Sequence, residues 1–258
     1  MTEALIRLEP ARLFRGVLRL GDLSLILGQR LGEWVGHAPA VEEDLGLANL
    51  ALDLIGQARL LLTYAGEIEG RGRGEDDLAF LREHGEYCNP TLAELPNGDF
   101  GQTIARQVLI DAFQLAMYER LTNSADRRLA AIASKAVKET RYHLRYSGGW
   151  LVRLGDGTVE SHTRIQEALD DLWPYTSELF AEDALDREMT EAGILPPLAD
   201  VKEAWSGLIR PLLDEATLRH PPDQAYSWHG KRGQHSEHLG YILAEMQYMQ
   251  RTCPGAKW

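Results

Sequence analysis

Apolar residues recur at close to every 3.6 positions along nearly the whole chain, which is the period of an amphipathic α-helix. The spacing predicts a first long helix over about 13–34, with Leu20, Leu23, Leu27, Leu31 and Trp34 on one stripe. A second begins after Pro39, whose fixed φ suits a first helical turn, and runs through Leu47, Leu50, Leu54 and Leu61 to Gly66. Glu42, Glu43 and Asp44 favour that helix start, because carboxylates complement the positive end of the helix dipole. Asp99 is predicted to cap a third helix, through Ile104, Val108 and Leu115 to Leu121. Asp126 is predicted to cap a fourth, through Leu129, Ile132, Ala136, Leu144 and Leu151, stopping at Gly155. A fifth segment opens at Ser161 and ends near Phe180, and a short one covers 183–192 with Gly193 after it. Asp200 with Glu203 resembles a capping box ahead of Trp205, Leu208, Ile209 and Leu212. The last helix opens at Ser236, and 69–77, 88–99 and 218–234 read as loops.

Alternating strand-like runs are nearly absent, and no repeat appears at a period of roughly 33–45 residues. The prediction is an all-α chain: four long helices forming a four-helix bundle, with additional helices. Residues 1–258 read as a single domain, with 1–15 as a loose N-terminal extension.

Composition narrows the function. Apolar residues at 44% supply a core, so global disorder is excluded. A net charge of −12 repels phosphate backbones and anionic lipid, which argues against nucleic acid and membrane surfaces as partners. Cys88 and Cys253 form neither a C-x-x-C pair nor a metal spacing, which fits a reducing compartment. No uninterrupted apolar run approaches the ~20 residues that cross a bilayer, and the first residues lack a cleavable leader pattern. A cytoplasmic location is expected.

Familiar catalytic motifs fail. There is no phosphate-binding loop of the Walker type, no nucleophile elbow and no H-E-x-x-H. Gly230-Lys231-Arg232-Gly233 reads as a solvated turn, with phosphate contact as the sharper alternative. In His235-Ser236-Glu237-His238 the two imidazoles share a helix face and could bind one metal, whereas Ser236 makes an ordinary helix cap.

Four carboxylates stand in the middle of the four long helices: Asp22, Asp53, Asp111 and Glu139. One acidic group per helix, aimed at a common axis, is how a di-iron carboxylate bundle is built, with a Glu-x-x-His on two of the helices. Here the histidine positions hold Gly56 and Tyr142, and His143 falls one residue late, about 100° around the helix. Three of the four acids are the shorter Asp. Two irons therefore lack their normal ligands, and the four acids read as relict positions. If they are buried without metal they need compensation. Lys135 and Arg106 are candidate partners, which predicts a lower melting temperature for Lys135→Met.

Four blocks carry a resemblance. They are Leu27-Gly28-Gln29-Arg30-Leu31-Gly32-Glu33-Trp34 with Gly36-His37-Ala38-Pro39; Leu52-Asp53-Leu54-Ile55-Gly56-Gln57-Ala58-Arg59; Lys138-Glu139-Thr140-Arg141-Tyr142-His143-Leu144-Arg145; and His238-Leu239-Gly240 through Ala244-Glu245-Met246-Gln247-Tyr248. In this order, over residues 18–258, they resemble the C-subunit family of the ring 1,2-phenylacetyl-CoA epoxidase, a bacterial multicomponent monooxygenase. The resemblance implies a ferritin-like fold and a noncatalytic chain without a cofactor of its own. It implies a catalytic A subunit as partner, which holds the di-iron centre and binds phenylacetyl-CoA. It also implies a reductase with flavin and an iron–sulfur cluster that draws electrons from NADPH. Self-association stays open. The family's catalytic residues have no matching positions here, so none is carried over.

Two other readings stand beside this one. A stand-alone di-metal carboxylate oxidase or ferritin-like iron binder would need His143, His235 or His238 to replace the missing ligands. A helical interaction module would account for the helices and the acidity, but not for the carboxylate set.

Overall fold

The computed structural model describes residues 8–224 and 228–256. Its helices run α1 Pro10–Gly32, α2 Val41–Glu69, α3 Glu75–Phe80, α4 Thr91–Glu94, α5 Phe100–Leu121, α6 Arg127–Gly155, α7 Val159–Leu172, α8 Thr176–Phe180, α9 Ala184–Glu191, α10 Leu198–Glu215, α11 Glu237–Met246 and α12 Tyr248–Thr252. Among the described residues there is no strand, only one isolated bridge between His229 and Gln234. The described residues divide into two compact units, one of residues 9–96 with 228–256, the other of residues 97–224 with Leu8.

In the first unit α1 and α2 pack along each other. Every residue of α1 from Gly16 to Gly28 is buried, so this helix is enclosed all round. Gly21 faces Leu61 and Leu62, and Gly28 faces Leu54 and Ile55, an antiparallel match. A Cβ on Gly28 would sit 3.1 Å from Ile55 Cδ1, so the missing side chains bring the two helices close. Gly70, at φ 66°, ends α2 in the left-handed region that glycine adopts freely. By length and composition α2 is also apolar enough to cross a membrane (mean hydropathy 1.4), with 44% of its most apolar window buried.

The second unit is built on α5 and α6, with α7 and α10 against α5. Asp99 and Asp126 cap α5 and α6 as the sequence predicts, accepting from Gln102 N at 2.8 Å and from Arg128 N at 2.9 Å. Gly148 lets Leu212 of α10 approach α6. Phe113 packs edge-on against Phe180, which lies tilted against Trp205, and Trp205 Nε1 donates to the Leu109 carbonyl at 2.9 Å.

Several boundaries differ from expectation. Helix α1 starts at Pro10, so residues 10–15 are helical rather than loose; residues 1–7 of the expected extension lie outside the described residues. The fifth segment opens at Val159 with Thr158 as its cap, and Ser161 closes the box three residues on. It then breaks into three pieces around Pro174, which lacks the N–H a continuous helix needs. Helix α10 starts directly after Pro197, so Asp200 lies in its first turn and is not its cap.

The Gly230–Arg232 turn is a structural element of the first unit. A Cβ on Gly230 would lie 2.5 Å from the Asn89 carbonyl oxygen and 2.9 Å from Thr91 N, and one on Gly233 only 2.3 Å from the Gly85 carbonyl. Buried Arg19 donates to the Lys231 carbonyl at 3.2 Å. The expected solvated turn is thus packed backbone to backbone, which a sequence pattern does not reveal. Gly230→Ala is expected to cost about 1–3 kcal/mol by overpacking, since the opposing atoms are main chain and cannot swing away. An unchanged urea midpoint would contradict this.

Candidate functional site

Asp22, in the middle of α1, is fully buried and engaged on both oxygens. Arg82 donates from Nη1 to Oδ2 at 3.0 Å and from Nη2 to Oδ1. The Cys88 backbone N–H adds a third bond, to Oδ2 at 2.8 Å. Arg82 is itself 1% exposed. Its Nε donates to the Leu78 carbonyl, Nη1 donates also to the Glu86 carbonyl, and its guanidinium stands 4.1 Å from the centre of the Tyr87 ring. Burial alone would lower the Arg82 pKa; the charge and hydrogen bonds of Asp22 outweigh it and leave the group raised. Burial also pushes the Tyr87 hydroxyl up to about 12 and the Cys88 thiol up to about 11, the latter with help from Asp22. Cys88 therefore has little thiolate character at neutral pH.

A second buried network in the same unit was not anticipated. Glu94, fully buried in α4, accepts from Asn89 Nδ2 at 2.8 Å, from the Ser236 N–H at 2.6 Å and from His235 Nδ1 at 2.8 Å. His235 Nε2 lies 2.9 Å from the Tyr87 carbonyl. A carbonyl and a carboxylate only accept, so both ring nitrogens donate and His235 is an imidazolium. Burial works against that charge, and the hydrogen bond and charge of Glu94 more than offset it, raising the His235 pKa. Gln247 ties the two networks together, donating to the Arg82 carbonyl at 2.9 Å and to Tyr87 Oη at 2.8 Å. Ser236 caps α11 as expected, accepting from His238 N. His238 is half-buried beside Tyr241. His235 is therefore a salt-bridge partner whose two nitrogens are both spent, which corrects its candidacy as a metal ligand. The one sequence signal was a lone acid, Glu94, in the apolar run Leu92-Ala93-Glu94-Leu95.

In the second unit Asp111 is fully buried in α5. Gln107 Nε2 and Ser147 Oγ donate to it, each at 2.7 Å. His143 Nδ1 stands 4.0 Å away, beyond hydrogen-bond reach. Burial pushes the Asp111 pKa up to about 6, against the opposing effects of His143, Ser147 and Gln107. The sign follows from linkage. A carboxyl raised in the folded state lends stability that is complete below its ordinary pKa near 4 and is lost as pH rises through about 6. The loss is on the order of 2–3 kcal/mol. Asp111→Asn removes the ionisation and keeps the shape. Its stability relative to the parent is expected to climb between those two values and then level off; parallel urea-midpoint profiles would refute this.

The remaining sequence candidates do not join these clusters. Asp53 is half-buried on α2, and a Cβ on Gly56 would meet nothing within 4 Å. Glu139 is half-buried and pairs with Lys135 at 3.8 Å, as the sequence suggested, but Lys135 is largely exposed. An exposed pair one helical turn apart is worth about 0.3–0.5 kcal/mol. Lys135→Met is thus expected to shift the melting temperature by little more than a degree in a thermal scan, less than the charge-burial argument implied. Arg106 is buried, with Nη2 donating to Asn97. Tyr142 is 42% exposed, whereas His143 is wholly buried. The inward face of α6 therefore runs through Ala136, Thr140, His143, Ser147 and Leu151, and the late histidine is the one that turns inward. His143, one residue past the expected ligand position, is thus the side chain on the buried face, and Tyr142 at that position faces outward.

These residues do not fit a di-iron centre. Asp22 is locked by a guanidinium, Asp111 by an amide and a hydroxyl, and the two histidine positions offer no imidazole. Among the described residues no three His, Cys, Asp or Glu side chains gather as a metal-holding set. Arginine–carboxylate pairing gives the arrangement rigidity but no open coordination position.

In a search of solved structures the chain is similar to a protein with aldehyde deformylating oxidase activity from Synechococcus, at 18% identity and a TM-score of 0.58 over 87% of this chain and 94% of that one. At that identity the likeness shows the fold alone, an all-α, ferritin-like one. It is also similar to the C subunit of the 1,2-phenylacetyl-CoA epoxidase of Escherichia coli (strain K12), 53% identical over 241 residues, 93% of this chain and 97% of that relative. The profile of the family described as phenylacetic acid catabolic protein matches residues 2–258, and the chain belongs to that family.

Proposed function

We propose that this chain is the noncatalytic, structural subunit of a phenylacetyl-CoA epoxidase in aerobic phenylacetate degradation, working in the cytoplasm beside a catalytic A subunit. In this reading the di-iron centre sits in the A subunit, and a separate reductase supplies flavin, an iron–sulfur cluster and electrons from NADPH. The observation that carries it is Asp22. The first of the four mid-helix acids spends both oxygens on Arg82 and the Cys88 N–H, so a cation would have to expel a buried guanidinium. The Escherichia coli relative, by name the C subunit of such an epoxidase, supports the assignment of the complex.

The test is elemental analysis of the chain purified alone, followed by reconstitution. Iron and zinc near zero per mole are expected, with epoxidation by the A subunit and reductase requiring this chain. Asp111→Asn should support turnover as the parent does. About two irons per chain, or lost turnover in a well-folded Asp111→Asn, would instead make Asp22, Asp53, Asp111 and Glu139 ligands of a working site.

A further inference from the structure

Helix α2 is covered on one side only. Leu47, Leu50, Leu54, Ala58, Leu61 and Leu62 are buried, whereas Val41, Leu45 and Leu52 are 72%, 59% and 69% exposed. With half-buried Ala48 and Ile55 they make a second apolar row at 41, 45, 48, 52 and 55, in steps of four and three. That is the spacing with which one helix receives another along a seam. Single exposed leucines are ordinary on a protein surface; a row in seam register is not. The row opens into a groove of about 280 Å³ that Leu25, Ile55, Leu62, Ala79 and Phe80 line. At Gly56, where the space beyond the backbone is empty, another main chain can come close.

The charges around this face choose the occupant. Glu42, Glu43 and Asp44 surround the start of the row. At its far end Arg59 is held by Glu75 at 2.5 Å, and exposed Asp76 leaves that rim net negative. A second copy laid antiparallel about a two-fold axis would set acid against acid at both ends. An anionic lipid surface is repelled in the same way. The face fits an amphipathic helix with apolar residues at matching spacing and Lys or Arg flanking them. We propose that the outward face of α2 seats such a basic-flanked helix of the catalytic subunit; the choice of that subunit rests on the functional reading above.

The test compares binding of the A subunit to the parent chain and to Leu45→Asp/Leu52→Asp. Both positions are exposed, so the isolated variant should melt with the parent. The variant's affinity is expected to fall on the order of a hundredfold, because two central apolar anchors are replaced by charge. Glu42→Lys/Glu43→Lys should weaken binding less and flatten its salt dependence. Hydrogen exchange on the parent chain should slow over 41–60 when the complex forms. Equal affinity of parent and Leu45→Asp/Leu52→Asp, with no slowing over 41–60, would overturn the docking face while leaving the functional reading intact. Failure of the parent chain to bind the A subunit would overturn both. A parent dimer that the double variant abolishes, or vesicle binding that it abolishes, would overturn the choice of occupant.

Discussion

Arg82→Met is expected to lower the unfolding free energy by about 3–5 kcal/mol, because it leaves Asp22 charged, buried and stripped of its cation. At this chain size that is a melting point lower by roughly 10 °C, read by far-UV circular dichroism. The Cys88 N–H remains as a donor, but one neutral bond does not offset a buried carboxylate. A second variant separates pairing from packing. Asp22→Leu with Arg82→Met removes both charges, and most of the loss is expected to return, since two apolar side chains can replace a buried pair at little cost. If the double variant is as unstable as Arg82→Met alone, the damage comes from lost packing and hydrogen bonds, such as the stacking on Tyr87, and not from the stranded charge.

Glu94→Ala should be comparably damaging, about 3–5 kcal/mol, because it strands the His235 imidazolium, orphans the Ser236 N–H and leaves Asn89 Nδ2 only its long bond to the Pro90 carbonyl. Its signature is in the pH dependence. In the parent chain the His235 pKa is raised, with burial outweighed by Glu94. The pair's contribution is therefore complete below the ordinary histidine value and is lost as pH rises through the raised one. Without Glu94, burial is opposed only by the Tyr87 carbonyl and the more distant charge of Asp22, and burial, the largest of these effects, favours the neutral form. The sign then reverses: relative to the parent, Glu94→Ala loses most at low pH and recovers towards alkaline pH. A constant deficit across the range would show that the charge pair is not what Glu94 supplies.

The sequence carried the helices well because their signals are local. Asp99, Asp126 and Asp183 cap where their side chains can reach the first-turn N–H groups, and Gly193 takes the left-handed turn after α9. Where it erred, a proline outranked a polar residue: Pro197 starts α10 ahead of Asp200, and Pro174 breaks the fifth segment. Of the site, the mid-helix position of Asp22 and Asp111 was legible, and their partners were not. Arg82 is 60 positions from Asp22, and Ser147 is 36 from Asp111. Such pairings are fixed by tertiary packing, which helical periodicity does not encode. The His143 register was within reach: Ala136, Thr140, Leu144 and Ser147 mark an inward face that includes it, whereas the Glu-x-x-His spacing falls on Tyr142.

The Glu94–His235 pair also has a consequence for how the chain is made. Its members are 141 positions apart, and residues 97–227, nearly all of the other unit, lie between them. At about 5–20 residues per second of synthesis, Glu94 waits roughly 7–28 s for its histidine. The intervening unit is contiguous and can close during that interval, whereas the unit holding α1 and α2 cannot complete its buried charge pair until the ribosome has released the His235 turn. The last buried charge pair of the α1–α2 unit can therefore close only after residues 97–227 have been synthesised.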